Sequence, residues 1–231
     1  MTDIHAMSST LVLALEAARQ EGFDTLLILG DLLTYGVSPC ETLDLVHDAM
    51  SREDAVLLLG NHDALYREPK DAYLATLPDW LRETIAWTAA AIPDGAMEVF
   101  AWHQEWSFGP LLAAHANPYG ANDWRYIDSV EKAEDAAKAL AKRGFGVGIF
   151  GHTHRARRFD TRHGSVYTLG ALGQPRDDRA RTPQWAMIEV DDQTVTVSPR
   201  DIPFDSAAHI AAIRATSMTS ATQDRLCGFF A

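Results

Sequence analysis

Short runs of continuous apolar residues, each ended by glycine or a polar side chain, alternate along most of the chain with stretches of helical spacing. The runs are "TLLILG" (residues 25–30), "AVLLLG" (55–60), "LLAAHANP" (111–118) and "GVGIFGHTH" (146–154). They are short and apolar at successive positions, which predicts strands buried on both faces. Between them, "SSTLVLALEAARQE" (8–21) opens on serines suited to an N-cap and spaces its apolar residues as a helix does. "PCETLDLVHDAM" (39–50) predicts a second helix, with proline near its start. Residues 70–92 predict two helices parted around Pro78, and residues 129–142 a strongly periodic one. From about Arg155 the texture changes. "SVYTLG", "AMIEV" and "TVTVS" are short β-type runs with no long helix between them, and a helix returns near residues 205–216. The closing "TSMTSATQDRLCGFFA" has no single reading.

Buried strands parted by helices predict a sheet covered on both sides, and the late, closely spaced strands predict antiparallel additions or a second sheet. No internal repeat or low-complexity linker interrupts the chain. Residues 1–231 therefore read as one domain with a helical extension from about residue 205.

Composition narrows the partners. The chain has 231 residues, 47% of them hydrophobic, and a formal net charge of −12. Such acidity is a poor match for nucleic acid but no obstacle to a bound divalent cation. Cys40 and Cys227 lie far apart and form no CxxC pattern, which predicts two reduced thiols. No apolar run approaches the roughly 18 residues needed to span a bilayer, and no signal peptide is visible, so the expected location is the cytoplasm. Nothing in the sequence specifies oligomeric state, which leaves a homo-oligomer open.

The polar residues that end the apolar runs carry the chemistry. Asp31 follows "LLILG"; Asn61, His62 and Asp63 follow "VLLLG"; His115 closes "LLAA"; His152 and His154 follow "GIFG". Ligands of open α/β sheets gather at the carboxyl ends of the strands. Asp3 and His5, near the start, lie two residues apart, so an extended chain points both to the same side. A single histidine or aspartate of this kind is ordinarily a core or capping residue. Five segments converging on the same residue types are another matter. Imidazole and carboxylate without thiolate suit Mn, Fe, Zn, Ni or Co. Seven candidate ligands exceed the needs of one ion and point to two, sharing a carboxylate at a separation of about 3.5–4 Å.

The ordered segments "TDIHAM", "GDLLTYG", "GNHD", "AAHANP" and "FGHTH" resemble the calcineurin-like metallophosphoesterase superfamily, and "LGALGQPRD" (169–177) is similar to a stretch of its small bacterial phosphodiesterase-type members. The resemblance implies a four-layer α/β/β/α sandwich. It assigns Asp3, His5 and His154 to a first divalent metal, Asn61, His115 and His152 to a second, and Asp31 to both, with Mn favoured. It makes His62 the catalytic histidine, oriented by Asp63, with attack by a hydroxide that the two metals activate. Arg176 in "GQPRD" is a candidate phosphate contact, since guanidinium pairs well with phosphate oxygens.

The chain departs from that pattern in two places. Only Met1 and Thr2 precede Asp3, where the family has a whole strand, so the usual first strand is expected to be lacking. The glycines that often flank the family's first and fourth motifs are also replaced, by Ala6 and Ala116. The expected function is a phosphodiesterase acting on a small phosphorylated substrate. A phosphoprotein phosphatase and a dinucleoside polyphosphate hydrolase remain as alternatives, as does a noncatalytic scaffold of the kind represented by the retromer subunit. Trp102, Trp106 and Trp124 are read as packing residues, His47, His103, His163 and His209 as ordinary surface or core residues, and the basic stretch 155–158 as a solvated strand edge.

Overall fold

The computed structural model describes residues 1–177, 181–192 and 194–230. In chain order its elements are α1 (Ser8–Glu21), β1 (Leu26–Ile28), α2 (Pro39–Arg52), β2 (Ala55–Leu58), α3 (Asn61–Arg67), α4 (Asp71–Leu74), α5 (Asp79–Ala91), β3 (Trp102–His103), β4 (Glu105–Phe108), β5 (Leu111–Ala114), α6 (Val130–Lys142), β6 (Val147–Phe150), β7 (Arg157–Thr161), β8 (Gly164–Thr168), β9 (Gln184–Asp191), β10 (Thr194–Asp201), α7 (Ser206–Arg214) and α8 (Ser220–Cys227). Local chemistry sets several boundaries. Pro39 sits in the first turn of α2, where its missing N–H costs nothing. The Ser129 hydroxyl accepts from Lys132 N at 3.3 Å and caps α6.

Alternation along the strands builds four layers. Ile28 and Leu57 pack with Leu11, Leu15, Val46 and Ala49 of α1 and α2. Their chain neighbours Leu29 and Leu58 face the other way, onto Leu111, Ala113 and Ile149. On the far side of that second sheet, Leu112, Phe150 and Val166 meet Ala133, Ala136, Ala137 and Leu140 of α6. The order is thus helices, sheet, sheet, helix, the sandwich expected from the sequence. Parallel pairing orders the first sheet β1-β2-β3; the second runs β4-β5-β6-β8-β7, parallel in the middle and antiparallel at both edges. β9 and β10 form a separate antiparallel hairpin, and its Ala186, Ile188, Val195 and Val197 pack between the sheets. Arg157 and Arg158 of the basic stretch lie on β7, the exposed edge of the second sheet.

Among the described residues, those up to Asp3 belong to no strand. An extended stub stands there instead. The Met1 ammonium donates to Leu27 O at 2.8 Å and Leu29 N donates to Met1 O at 2.9 Å, a parallel step against β1. On the other flank, Leu172 N donates to Thr2 O at 3.1 Å and Gly173 N to Asp3 O at 2.8 Å. β1 and β9 both line a cavity of about 560 Å³ that has Met1 in its wall. Helices α7 and α8 cover one end of the sandwich, packing Ile213, Leu226 and Phe230 against Met7 and Tyr35, with Trp80 and Trp87 of α5 beside them. Both cysteines are free thiols. Among the described residues, no helix is long and apolar enough to cross a membrane.

Candidate metal centre

The loops that follow β1, β2, β5 and β6 deliver their polar residues to one place, and the stub adds two more. Two sets of donor atoms result, each within 4.8 Å: Asp3, His5 and His154, and Asp31, His115 and His152. All six residues are buried. Asn61 joins the second set, its Oδ1 3.2 Å from His115 Nε2. Asp31 lies between the sets, with Oδ2 3.3 Å from His115 Nε2 and 3.8 Å from His5 Nε2.

The backbone is bent hard to achieve this. Asp3, His5, Asp31, His152 and His154 all have φ between +49° and +64°. The left-handed region costs an ordinary residue about 1–2 kcal/mol, and strain of this kind clusters at functional sites. Two glycines make room. A Cβ on Gly60 would collide with the Asp31 carboxylate, and one on Gly151 with the Thr2 hydroxyl and the Asp3 carboxylate.

Hydrogen bonds to backbone carbonyls fix the imidazoles. His5 Nδ1 meets Leu33 O at 2.9 Å, His115 Nδ1 meets Leu29 O at 2.6 Å, and His154 Nδ1 meets Gln174 O at 2.7 Å. His152 uses its other nitrogen, with Nε2 2.9 Å from Trp124 O. A carbonyl only accepts, so each of these nitrogens carries the proton, and the opposite nitrogen of a neutral ring presents a lone pair. His5 Nε2 and His154 Nε2 therefore confront each other lone pair to lone pair at 3.2 Å. Asp31 Oδ2 is buried and accepts no hydrogen bond. Two facing acceptors and an orphaned carboxylate oxygen are the environment a cation relieves, and the nitrogen and oxygen donors suit a divalent transition metal.

Electrostatics divides the sets. Burial pushes His5 down to about 3 and His152 to about 4, and holds His154 well below the usual imidazole range. Burial raises Asp3 to about 6. His115 behaves differently. Burial is the largest influence and works against its charge, but the Asp31 carboxylate, Asp3 and the Leu29 carbonyl together overcome it and lift His115 to about 9. Burial likewise opposes the charge on Asp31, yet His115 and His62 hold its carboxyl well below the usual range.

His62 is the second residue of α3, 7% exposed, with its amide donating to Asp31 Oδ1 at 2.8 Å. Its ring stands perpendicular to that of His5, centroids 5.2 Å apart. The expected partner of that ring is elsewhere. The Asp63 carboxylate accepts from the amides of Asp31 (2.7 Å), Leu32 (2.9 Å) and Gly60 (3.0 Å), so it braces the loop after β1 against α3. Sequence spacing places Asp63 beside His62 in the chain, but the helical turn carries its side chain to the backbone behind. The His62 ring meets Tyr35 instead, Nε2 to Oη 3.1 Å. Arg176 lies at the rim; its amide donates to His154 O at 3.1 Å and its Nε to Gln174 Oε1 at 3.0 Å.

Three residues at the site carried no signal that sequence reasoning used. Tyr35 lies inside the "GDLLTYG" segment and Gln174 inside "GQPR", so position alone marked them. Tyr126 stacks on His152 at 4.2 Å and 9° from a loop with no motif. Trp124 was read as packing; it stands edge-on to His115 at 5.9 Å and supplies the carbonyl that holds His152. Trp102 packs with Phe100, and Trp106 stacks on Phe108 in the wall of the cavity near Met1.

A family model described as calcineurin-like phosphoesterase matches residues 1–156. No curated protein matches significantly. Among solved structures, a metallophosphoesterase from Sphaerobacter thermophilus is 22% identical, with 99% of this chain and 98% of that one covered and a TM-score of 0.75. A hypothetical protein from Pyrococcus horikoshii superposes with a TM-score of 0.82 at 16% identity, over 98% of this chain and 95% of that one. A novel archaeal phosphodiesterase gives a TM-score of 0.50 at 14% identity, over 87% of this chain and 97% of that one.

Proposed function

The chain belongs to the calcineurin-like phosphoesterase family, and on that premise we propose that it is a metal-dependent phosphodiesterase. The observation that carries the reading is the pair of buried donor sets meeting at the orphaned Asp31 Oδ2. Asp3, His5 and His154 would hold one divalent ion, Asn61, His115 and His152 the other, and Asp31 both, with manganese our first choice. Such a pair supplies an acidified water as nucleophile and neutralises charge on the phosphoryl oxygens.

The chain's own residues do the rest. The locked imidazoles keep the donor geometry fixed, so little reorganisation accompanies reaction. Asp63 ties the loop carrying Asp31 to the helix carrying His62, which sets the reach from the metal ligands to the catalytic ring. Burial lowers His62 below the ordinary imidazole range and so favours the neutral ring. A neutral ring still has one N–H, which can bond a phosphoryl oxygen or pass its proton to the departing alkoxide; such assistance contributes roughly 10²–10⁴-fold. Arg176, whose guanidinium rests on Gln174 Oε1, would be the residue to meet a phosphate oxygen. That the full ligand set and His62 converge favours an enzyme over a scaffold.

The test is turnover of bis-p-nitrophenyl phosphate against p-nitrophenyl phosphate with added Mn²⁺. Faster diester hydrolysis that chelator abolishes is the expected result. Preference for the monoester would move the reading to the phosphatase alternative. Absence of turnover on both, with two metals bound per chain, would sink the enzyme reading.

A further inference from the structure

We propose that Tyr35 is the positioning residue of His62: its hydroxyl donates to His62 Nε2 and so keeps the ring proton on Nδ1, the donor offered to the substrate oxygen. The inference deepens the phosphoesterase reading and rests on it for the identity of that oxygen.

Geometry gives the first support. Tyr35 Oη lies 3.1 Å from His62 Nε2, and both residues are buried. Asp63, the carboxylate next in sequence, is committed to three backbone amides, so Tyr35 is the group at the ring. The direction of the hydrogen bond follows from what surrounds the hydroxyl. The Arg176 guanidinium, 5.9 Å from the Tyr35 ring centroid, can only donate, so it offers the phenol proton no acceptor. His62 Nε2 is the acceptor within hydrogen-bond reach of Oη among the described residues, and a phenol keeps its proton at neutral pH. His62 Nε2 then acts as acceptor, and a neutral imidazole carries its hydrogen on the other nitrogen. That nitrogen, Nδ1, is buried and has no hydrogen-bond partner. With the His62 ring 5.2 Å from that of the donor His5, this unpartnered nitrogen is the one left for a ligand at the donor sets.

The backbone and packing point the same way. Thr34 and Tyr35 adopt φ of +74° and +67°, a conformation unfavourable for a β-branched and an aromatic residue in succession. The distortion is held by Gly36 N donating to His5 O at 3.0 Å and by the Thr34 hydroxyl paired with Tyr66 Oη at 2.7 Å. It turns the Tyr35 ring inward, between Trp80 (6.1 Å, stacked) and Phe229 (6.3 Å) on one side and the rings of His5 and His62 on the other. Packing alone needs no hydroxyl at the end of that ring.

Tyr35→Phe separates packing from positioning, because the ring stays and the hydroxyl goes. Four forms are compared: wild type, Y35F, H62A and the double variant, each checked for unchanged metal stoichiometry. Long-range proton–nitrogen NMR on histidine-labelled, metal-free protein reads the His62 tautomer. We expect Nδ1–H in the wild type and a shift toward Nε2–H in Y35F. On a diester, kcat falls about 10-fold in Y35F with KM within twofold, and the loss is larger for a phenyl than for a p-nitrophenyl leaving group. In the H62A background the same substitution costs less than twofold. An unmoved His62 tautomer in Y35F, or an equal loss with and without His62, overturns the proposal. A wild type that hydrolyses neither ester removes the phosphoesterase reading instead, and the tautomer shift then judges Tyr35 alone.

Discussion

Buried histidines occur in two regions of this molecule, and they behave as different residues. At the ends of the strands, His5, His115, His152 and His154 each fasten one ring nitrogen to a backbone carbonyl and turn the other toward a shared centre. In the helical layer, His209 lies between Phe204 (5.7 Å) and Phe230 (4.5 Å), with Nε2 buried and unpartnered. Burial alone accounts for its lowering to about 4. Both regions hold a dry imidazole. Only the first combines locked tautomers, a carboxylate between the rings, and a backbone forced into left-handed geometry at three of the four histidines, His5, His152 and His154. Burial of a histidine is therefore poor evidence of a ligand; convergence with a fixed lone pair is the better criterion.

The comparison can be broken most forcefully at Asp31. Asp31→Asn removes the charge shared by both donor sets, and we expect turnover to fall on the order of 10³-fold, with metal content dropping below two per chain by elemental analysis. Full metal content in that variant would show that the sets do not depend on a common carboxylate. His62→Ala comes next. Turnover should drop about 10²-fold while metal stoichiometry stays at the wild-type value; joint loss of metal would make His62 a ligand. Asp63→Asn tests the brace. An amide offers one acceptor oxygen where the carboxylate offers two, so about 2 kcal/mol of stability should go, seen as a fall of roughly 4–8 °C in the unfolding midpoint.

An effect of the same size as the last belongs to His209 and appears only in acid. A histidine at about 4 in the fold and near 6.5 when unfolded binds its proton first in the unfolded chain. Stability is then complete above pH 6.5 and is lost as the pH falls toward 4. Between pH 7 and pH 5 the loss comes to about 2 kcal/mol. His209→Leu should abolish it, leaving the drop in unfolding midpoint over that interval roughly 4–8 °C smaller than in the wild type, with turnover at pH 7 unchanged. A change in turnover would draw the helical layer into the site.

Much of this was legible before any coordinates. Continuous apolar runs marked β1, β2, β5 and β6 because strands buried on both faces need apolar residues at every position, and the short β-type runs after Arg155 marked β8, β9 and β10. The residues just after the continuous runs marked the second donor set and His154, because strand ends are where an α/β sheet exposes side chains; Asp3 and His5 were marked by their spacing at the start of the chain. The edge strands β4 and β7 were missed: "EWSF" and "RRFDT" are half exposed and show no such run. Helix α3 was missed because its seven residues begin with the site residues themselves and carry too few apolar positions for periodicity to register. The swapped partners of the His62 ring were also invisible. Adjacency in sequence suggests Asp63, but a helix sends consecutive side chains about 100° apart, and Tyr35 arrives from another loop altogether.

The stub at the start has a practical consequence for anyone who labels or immobilises the protein. The α-amino group of Met1 hydrogen-bonds Leu27 O inside the wall of the cavity between β1 and β9. Residues joined ahead of Met1 would start beside that cavity. Asp3 is two residues further on, so the junction lies close to a donor of the first set. An attachment at the exposed Leu13, on the outer face of α1, leaves both the stub and the centre untouched.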